Sequence, residues 1–290
     1  MHQDLLALAF EQRRDRLRGL AYRMLGATAE AEDAVQEAWL RTAGTGTVVT
    51  DLDGWLTTVV SRICLDVLRA RARRAEVTAD AAPEPPGTDA RDDPAAEAVH
   101  ADEVGRALLV VLDALSPEQR VAFVLHDLFA VPFAEIAAVL GRTPVAAKKL
   151  ASRARQRVHA PAEITAAELA EQRVLVTAFL RAARGGDLAG LLAILAPEVV
   201  RTADPAALPP GMAAVVRGAA AVAEGTVVLR ERSRAAEMLL VNGRPGLVVA
   251  RAGRPLFAVT FTVRDGRITA YDVIAAPARL AALRLSMPPG

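Results

Sequence analysis

The sequence predicts a multidomain chain in which two all-α domains precede a C-terminal α+β domain. Apolar residues recur at helical spacing through residues 1–160. A stretch rich in Pro, Gly and acids interrupts this pattern at 79–96, as a solvated linker would. Beyond 165 a helix is followed by β-rich runs that turn pairs separate. We therefore predict helical domains over 1–78 and 97–160, a linker over 79–96 and an α+β domain over 165–290.

The first helical block contains three periodic segments. "LLALAFEQRRDRLRGLAYRML" and "AEAEDAVQEAWLRT" are separated by the break Gly26-Ala27-Thr28. A third helix is expected to begin near Asp53, after a Gly- and Thr-rich loop, and "WLTTVVSRICLDVLRARARR" becomes increasingly basic toward its end. This helix contains Cys64, the only cysteine, which fits a reducing cytoplasm and is predicted to be a small buried residue.

The second block has the pattern of a helix-turn-helix. Its capping sequence "SPEQR" begins one helix, and "FAEIAAVL" from Phe133 to Leu140 places apolar residues on one face of another. Gly141 permits a tight turn, Thr143 can cap the next helix, and Pro144 suits its first position. A new helix is therefore expected within a few residues, as the motif requires.

Helical angles divide this second helix into an inward stripe and an outward face. The stripe consists of Ala147, Ala151, Ala154 and Val158. In a major groove the outward residues would face bases and the flanking cations would meet phosphates. The predicted minus 35 contacts are Arg142, Thr143, Val145, Lys148, Lys149, Ser152, Arg153, Arg155 and Arg157, with Val145, Lys149 and Ser152 as base readers. The alternative is an ordinary solvated face of a helical bundle.

The C-terminal part changes from helical to β-rich sequence. A helix ending at Gly185-Gly186 and the short segment "LAGLLAIL" precede the runs "EMLLV", "GLVVAR", "LFAVTFTV" and "ITAYDVIA". The pairs Asn242-Gly243, Gly253-Arg254 and Asp265-Gly266 separate these runs and are typical of hairpin turns. An antiparallel meander is therefore predicted here.

Charge distribution favours a nucleic-acid partner for the second block. The net charge is only +1, but the charged residues of 80–103 are acidic except Arg91, whereas bases outnumber acids over 106–157. The four histidines have no partners at metal-ligand spacing, so no metal or cofactor is predicted. The start of the chain is unlike a signal peptide and its apolar runs are short, so we expect a cytoplasmic protein without a membrane partner.

Two stretches resemble extracytoplasmic-function sigma factors of the sigma-70 family. "LRGLAYRMLGATAEAEDAVQEAWLR" with "DLDGWLTTVVSRICLDVLR" is similar to their region two, and "ALLVVLDALSPEQRVAFVLHDLFAVPFAEIAAVLGRTPVAAKKLASRARQRV" to their region four. Together they cover roughly the first 160 residues in the family's order. The resemblance implies a transcription initiation factor that binds core RNA polymerase and promoter DNA and is not an enzyme.

The resemblance also assigns residues within region two. The family's "AEDAVQEAWLR" helix docks on a coiled coil of the polymerase's largest subunit, which here implies Asp33, Gln36, Glu37, Trp39 and Arg41. The loop from Gly44 to Asp53 and the helix after it occupy the family's positions for unpaired minus 10 bases. The minus 10 candidates are Trp55, Thr58, Ser61, Arg62, Asp66 and Arg69, with Arg71, Arg73 and Arg74 as further phosphate contacts. Both tryptophans could instead be core residues.

The C-terminal part resembles the SnoaL-like, cone-shaped fold related to nuclear transport factor 2. "NGRPGLVVARAGRPLFAVTFTVRDGRITAYDVIAAPARLAAL" is similar to the fused domain of one sigma-factor branch, which regulates by packing against the sigma core. Asp204 matches an acid of that branch and is the regulatory candidate, but Pro205-Ala206-Ala207 replaces its glycines. In the linker, only Pro83-Glu84-Pro85 could correspond to the branch's Trp-Leu-Pro-Glu-Pro motif.

Two other functions remain open from the residues alone. One is a helix-turn-helix regulator that works without polymerase and carries a ligand-binding tail. The other is a SnoaL-like enzyme joined to an inactive sigma core, but Tyr271 and Asp272, as strand neighbours, point to opposite faces. Asp187, Glu198 and Asp204 have no evident base or metal partner either. We therefore expect no catalysis, and a small ligand in a C-terminal pocket stays an open alternative.

Overall fold

The computed structural model describes residues 2–44, 51–78 and 103–289. These residues divide into two compact units. Of the described residues, unit 1 comprises 2–44, 51–78 and 115–156, and unit 2 comprises 103–114 and 157–289. The predicted linker 79–96, with Pro83-Glu84-Pro85, and residues 45–50 of the predicted minus 10 loop lie outside the described residues.

The first half of unit 1 is a helical bundle. Its helices are α1 (His2–Glu11), α2 (Arg14–Leu25), α3 (Thr28–Gly44) and α4 (Leu52–Thr78). Helix α2 ends at Gly26, whose φ of 81° is left-handed, so the predicted break is confirmed. Leu17, Leu20, Met24 and Leu56 are fully buried and form the apolar centre of the bundle.

Shorter helices follow after the undescribed linker. They are α5 (Glu103–Asp113), α6 (Pro117–Phe123), α7 (Phe133–Leu140) and α8 (Pro144–Val158), with a π-helical turn over Val124–Leu128 between α6 and α7. The Ser116 hydroxyl accepts the backbone N–H of Gln119, and the Gln119 side chain accepts the backbone N–H of Ser116. The Ser cap of α6 that "SPEQR" predicts is therefore present. Within unit 1, α4 packs against both α6 and α7.

Unit 2 combines α5 with an α+β region, which confirms the predicted fold class of the C-terminal part. Its helices are α9 (Ala166–Gly185), α10 (Leu188–Ile194), α11 (Ala219–Val228), α12 (Arg230–Arg234) and α13 (Pro277–Ala281). The strands are β1 (Leu195–Ala203), β2 (Val215–Arg217), β3 (Ala236–Val241), β4 (Arg244–Arg251), β5 (Arg254–Arg264), β6 (Arg267–Ile274) and β7 (Leu285–Ser286). They form one mixed sheet in the order β2-β1-β6-β5-β4-β3-β7.

The predicted antiparallel meander is confirmed for β3 to β6, whereas β1 pairs with β6 in parallel. Two predicted hairpin turns have the positive φ values of type I′ turns: 50° and 72° at Asn242-Gly243, and 50° and 67° at Asp265-Gly266. The third turn is Ala252-Gly253, with φ values of 49° and 82°. The predicted pair Gly253-Arg254 was wrong by one residue, because Arg254 already begins β5.

Helix α9 covers one face of the sheet in unit 2. Phe179 on α9 contacts Phe261 on β5 and Tyr271 on β6, with ring centroids 5.0 and 5.3 Å apart. Tyr271 is buried on this face, whereas its neighbour Asp272 accepts a hydrogen bond from Thr202. The prediction that Tyr271 and Asp272 occupy opposite faces is confirmed.

No helix within 2–44, 51–78 and 103–289 is long and apolar enough to cross a membrane.

Candidate nucleic-acid interface

The turn between α7 and α8 has the geometry that the sequence predicts. Gly141 ends α7 with φ 63° and ψ 40°, a left-handed conformation that a residue without Cβ adopts without strain. Thr143 Oγ1 accepts a hydrogen bond of 3.2 Å from the backbone N–H of Ala146, and Pro144 begins α8. The two helices are therefore joined by a short, capped turn, which confirms the helix-turn-helix prediction.

Helix α8 separates apolar and basic residues onto opposite sides. Its predicted inward stripe is confirmed, since Ala147, Ala151, Ala154 and Val158 have no exposed surface. The predicted DNA contacts all lie on the solvent side: Arg142, Thr143, Val145, Lys148, Lys149, Ser152, Arg153, Arg155 and Arg157. Small alanines let α8 pack closely on its neighbours while its long cations stay in water.

The cations of this face differ in their partners. Arg142, Lys148, Lys149 and Arg153 form no ion pair with any acid of the described chain. In contrast, Nη2 of Arg155 lies 2.5 Å from Oδ1 of Asp127 on the π-helical turn. Arg155 therefore joins α8 to that turn, a contact that the sequence reasoning missed because no short-range spacing relates the two residues.

The minus 10 candidates on α4 have unequal exposure. Trp55 is 37% exposed, Thr58 is half-buried and Asp66 is exposed. Ser61 is fully buried, and its hydroxyl has no partner among the described residues. Ser61 is therefore not accessible to DNA in this arrangement of unit 1, and its role as a minus 10 contact stays a prediction.

The arginines of α4 contact other parts of unit 1. Nη2 of Arg62 donates to the Ala138 carbonyl on α7 at 2.8 Å. Nε and Nη2 of Arg69 donate to Oε1 of Glu118 on α6, at 2.9 and 2.8 Å. Burial alone would raise the pKa of Glu118, but the Arg69 guanidinium and a backbone N–H lower it below its usual range. Neither partner was visible in the sequence, because each lies far from α4 along the chain.

The arginines at the basic end of α4 also differ in their exposure. Arg71 donates to the Leu25 carbonyl at 2.8 Å and pairs with Glu30, which leaves its side chain only 15% exposed. Arg73 and Arg74 are exposed. Arg71 is therefore a link within the bundle in this structure, whereas the last two arginines lie at the surface.

The predicted polymerase-docking residues form a ridge along α3. Asp33, Gln36 and Arg41 are exposed, and Glu37 accepts a hydrogen bond of 2.8 Å from Nε of Arg41 one turn later. Trp39 is half-buried and its ring centroid lies 5.0 Å from that of Phe10. The acids thus lie at the surface, while Trp39 packs against α1.

Asp204 is a structural brace in unit 2. Its Oδ2 accepts the backbone N–H groups of Ala275 and Ala276, both at 2.9 Å, and its Oδ1 lies 2.5 Å from Nη1 of Arg279. Burial would raise the pKa of Asp204, but these donors lower it below the usual range. The carboxylate joins the end of β1 to the start of α13, and its predicted regulatory role stays a prediction.

Cys64 is a buried residue of unit 1. It is fully buried, and burial raises the pKa of its thiol to about 12. The prediction of a small buried residue is confirmed. In the described ranges, no three or more His, Cys, Asp or Glu side chains come together as a metal site would need.

A capped helix-turn-helix with an exposed basic helix, next to a four-helix bundle, defines a helical nucleic-acid-binding protein of the transcription-factor type. Comparison with protein families specifies the class. The family model of Sigma-70 region 2 matches residues 9–74, and that of Sigma-70, region 4 matches residues 105–158. The chain belongs to the extracytoplasmic-function (ECF) RNA polymerase sigma factors.

Individual relatives match nearly the whole chain. The ECF RNA polymerase sigma factor SigJ of Mycobacterium tuberculosis is 44% identical over 92% of this chain and 91% of its own length. The probable ECF RNA polymerase sigma factor SigI of the same species is 36% identical over 98% of both chains. The crystal structure of SigJ, at 40% identity, covers 94% of this chain and 97% of its own, with a TM-score of 0.47.

Membership of this family selects among the functions left open by the residues. The protein is a transcription initiation factor that binds core RNA polymerase and recognises promoter DNA. It is not an enzyme, since a sigma factor carries out no bond chemistry of its own and the polymerase supplies it. The stand-alone regulator and the tethered enzyme are therefore set aside.

Proposed function

We propose that α8 reads the minus 35 element and α4 binds the minus 10 element of the promoter. The observation that carries this proposal is the exposed face of α8, which has cations and no acid along the whole helix. Val145, Lys149 and Ser152 lie on its first turns, where a helix in the major groove meets base edges. Arg142, Lys148 and Arg153 flank these turns and would neutralise phosphates.

On α4, Trp55, Thr58 and Asp66 would hold unpaired bases, with Arg62 and Arg69 on the DNA backbone. Both guanidinium groups are occupied in the structure, by the Ala138 carbonyl and the Glu118 carboxylate. We infer that unit 1 is in a DNA-free arrangement. Promoter binding would exchange these protein contacts for phosphates, so that the minus 10 surface becomes available only when α6 and α7 move away from α4.

Core polymerase would dock on α3 through Asp33, Gln36, Glu37, Trp39 and Arg41. Exposed acids on one ridge suit a basic partner surface. Such an encounter takes place in the cytoplasm, where the polymerase works. The functional modules would then be 1–78 for polymerase and minus 10 binding, 97–160 for minus 35 binding and 165–290 for regulation.

Regulation by the C-terminal part would act through α5, the first helix of the region 4 match. Within unit 2, Nε of Arg106 on α5 lies 2.7 Å from Oε1 of Glu237, which is buried on β3. A Cβ at Gly253 in the β4–β5 turn would lie 3.1 Å from the Leu109 carbonyl of α5. The sheet therefore holds a helix that belongs to the minus 35-binding region, which gives the domain a physical means of control.

In-vitro transcription with core RNA polymerase and a pool of promoters tests the whole proposal. We expect the full chain to start transcripts, and Lys149→Ala to alter which promoters are used. Asp33→Ala with Glu37→Ala should reduce core-polymerase pull-down, whereas Asp15→Ala, which removes a 92% exposed acid of α2, should not. DNA binding without any initiation by the full chain would contradict the proposal.

Two matched glycine variants test the regulatory part. Gly253→Ala and Gly266→Ala add a Cβ at similar positive φ values of 82° and 67°. Only the first pushes against α5, because the atom nearest to a Cβ at Gly266 is Oε1 of Glu171 at 3.8 Å. We expect Gly253→Ala to change transcription by about twofold or more and Gly266→Ala to leave it unchanged. Equal output from both would remove α5 as the route of control.

A further inference from the structure

Unit 2 contains a cavity of about 60 Å³ between its sheet and helices. Apolar side chains form most of its wall, including Phe179 of α9, Phe257 of β5 and Val273 of β6. By the same measure a single water molecule needs about 10–15 Å³. The space therefore suits several water molecules or a small organic molecule.

A buried arginine forms part of this wall. Arg201 lies on β1 between the inward-facing residues Val199 and Ala203, at a position where an apolar residue would be expected, and it is only 3% exposed. Its Nη2 donates to the Ala213 carbonyl at 2.5 Å. Its Nη1 is buried and has no hydrogen-bond partner among the described residues.

No acid among the described residues compensates the charge of Arg201. Neither the residues that line the cavity nor any other described carboxylate forms an ion pair with Arg201. An arginine side chain stays protonated in a protein, so a buried guanidinium without a counter-charge destabilises the folded state. A ligand with a negative charge would offset this cost.

The other polar groups at the cavity are already satisfied. Thr226 has a single hydroxyl hydrogen, which it donates to the Val222 carbonyl at 2.8 Å. Tyr271 must then be the donor in its 2.7 Å contact with Thr226. Burial raises the pKa of Tyr271, so its hydroxyl stays neutral. Arg232, an exposed residue that also lines the cavity, adds a second positive charge on the solvent side.

We propose that this cavity binds a small organic monocarboxylate, with the carboxylate on Arg201 and a short apolar body against Phe179, Phe257 and Val273. A planar carboxylate matches the guanidinium fork and carries the one negative charge that Arg201 lacks. The apolar wall favours a hydrocarbon body over an inorganic ion.

Calorimetric titration of the full chain with pentanoate tests the proposal, with pentanol as a neutral probe of similar size. We expect pentanoate to bind and pentanol to bind at least about tenfold more weakly. Arg201→Met should reduce pentanoate affinity by at least about tenfold, while Arg217→Met, an exposed arginine on the neighbouring strand, should not change it. Ala236→Leu keeps Arg201 but fills the cavity from β3 and should also abolish binding.

Thermal unfolding separates a ligand site from a purely structural arginine. Because Arg201→Met removes an uncompensated buried charge, we expect its Tm without ligand to equal or exceed that of the parent protein. Pentanoate should then raise the Tm of the parent and not of the variant. A lowered Tm with unchanged pentanoate binding would overturn the proposal. So would equal binding of pentanol, equal binding of chloride or sulfate, or no binding of pentanoate.

Discussion

Helices α8 and α4 are both basic, but the central cations predicted to contact DNA have different partners on the two helices. On α8, Lys149 and Arg153 are exposed and form no ion pair with any described acid. On α4, Arg62 and Arg69 are bound to the Ala138 carbonyl and to Glu118. Those cations of α8 lie in solvent, whereas these two of α4, like Arg155 of α8, are bound within the protein.

The difference follows from what each helix packs against. Alanines on the buried side of α8 let it lie close to its neighbours, so that Lys149 and Arg153 point into solvent, whereas Arg155 reaches Asp127. Helix α4 lies between the bundle of unit 1 and the helices α6 and α7, so that part of its basic surface faces protein. A DNA-binding helix is therefore available only if no other part of the chain offers its cations a carboxylate or carbonyl at hydrogen-bond distance.

The largest expected effect comes from placing a glutamate on the buried side of α8, compared with the same residue on its exposed side. Ala151→Glu would bury a carboxylate on the fully buried stripe and should lower the free energy of unfolding by about 3 kcal/mol or more. Ser152→Glu, on the exposed side, should change stability by less than about 0.5 kcal/mol but weaken promoter binding by charge repulsion. Chemical denaturation and DNA binding measure both. Similar stability of the two variants would show that α8 is not docked as described.

Removal of cations from α8 should have the next largest effect. Lys149→Ala with Arg153→Ala should weaken binding to minus 35 duplex DNA by about tenfold to a hundredfold at moderate salt. The slope of log affinity against log salt should fall by about one for each lost phosphate contact. Arg155→Ala serves as the contrast, since Arg155 is already paired with Asp127. An unchanged salt slope in the double variant would place these cations away from the DNA backbone.

The sequence predicts the structure around α8 better than the structure around α4. The α8 face follows from one helix and its period, so the buried stripe, Thr143 cap and Gly141 turn could all be predicted and are confirmed. The burial of Ser61 was not foreseen, because family position alone does not reveal which residues of α4 pack against other helices. Glu118 and Arg201 were not foreseen, since a pair 49 residues apart and a buried charge inside a strand depend on tertiary packing.

Release of Arg69 from Glu118 should have a smaller effect. It tests directly whether pairing within the protein limits DNA binding by α4. Glu118→Lys replaces the partner of Arg69 with a like charge and should increase binding of single-stranded minus 10 DNA by about threefold to tenfold. Glu135→Lys makes the same charge change at an exposed site of α7 and is the control for general attraction to DNA. Equal gains from both variants would mean that charge alone, and not release of α4, causes the increase.

Acid should weaken the same contact, with the smallest effect. Because Arg69 lowers the pKa of Glu118 in the folded protein, the contact adds stability that is fully present above the unfolded pKa of about 4.3 and is lost as pH falls through the folded value. Partial exposure of both side chains limits this contribution to less than about 1 kcal/mol. The stability difference between the parent protein and Glu118→Gln should therefore be constant above about pH 5 and shrink toward pH 3. A difference that does not depend on pH would mean that the pair holds α4 through packing and not through charge.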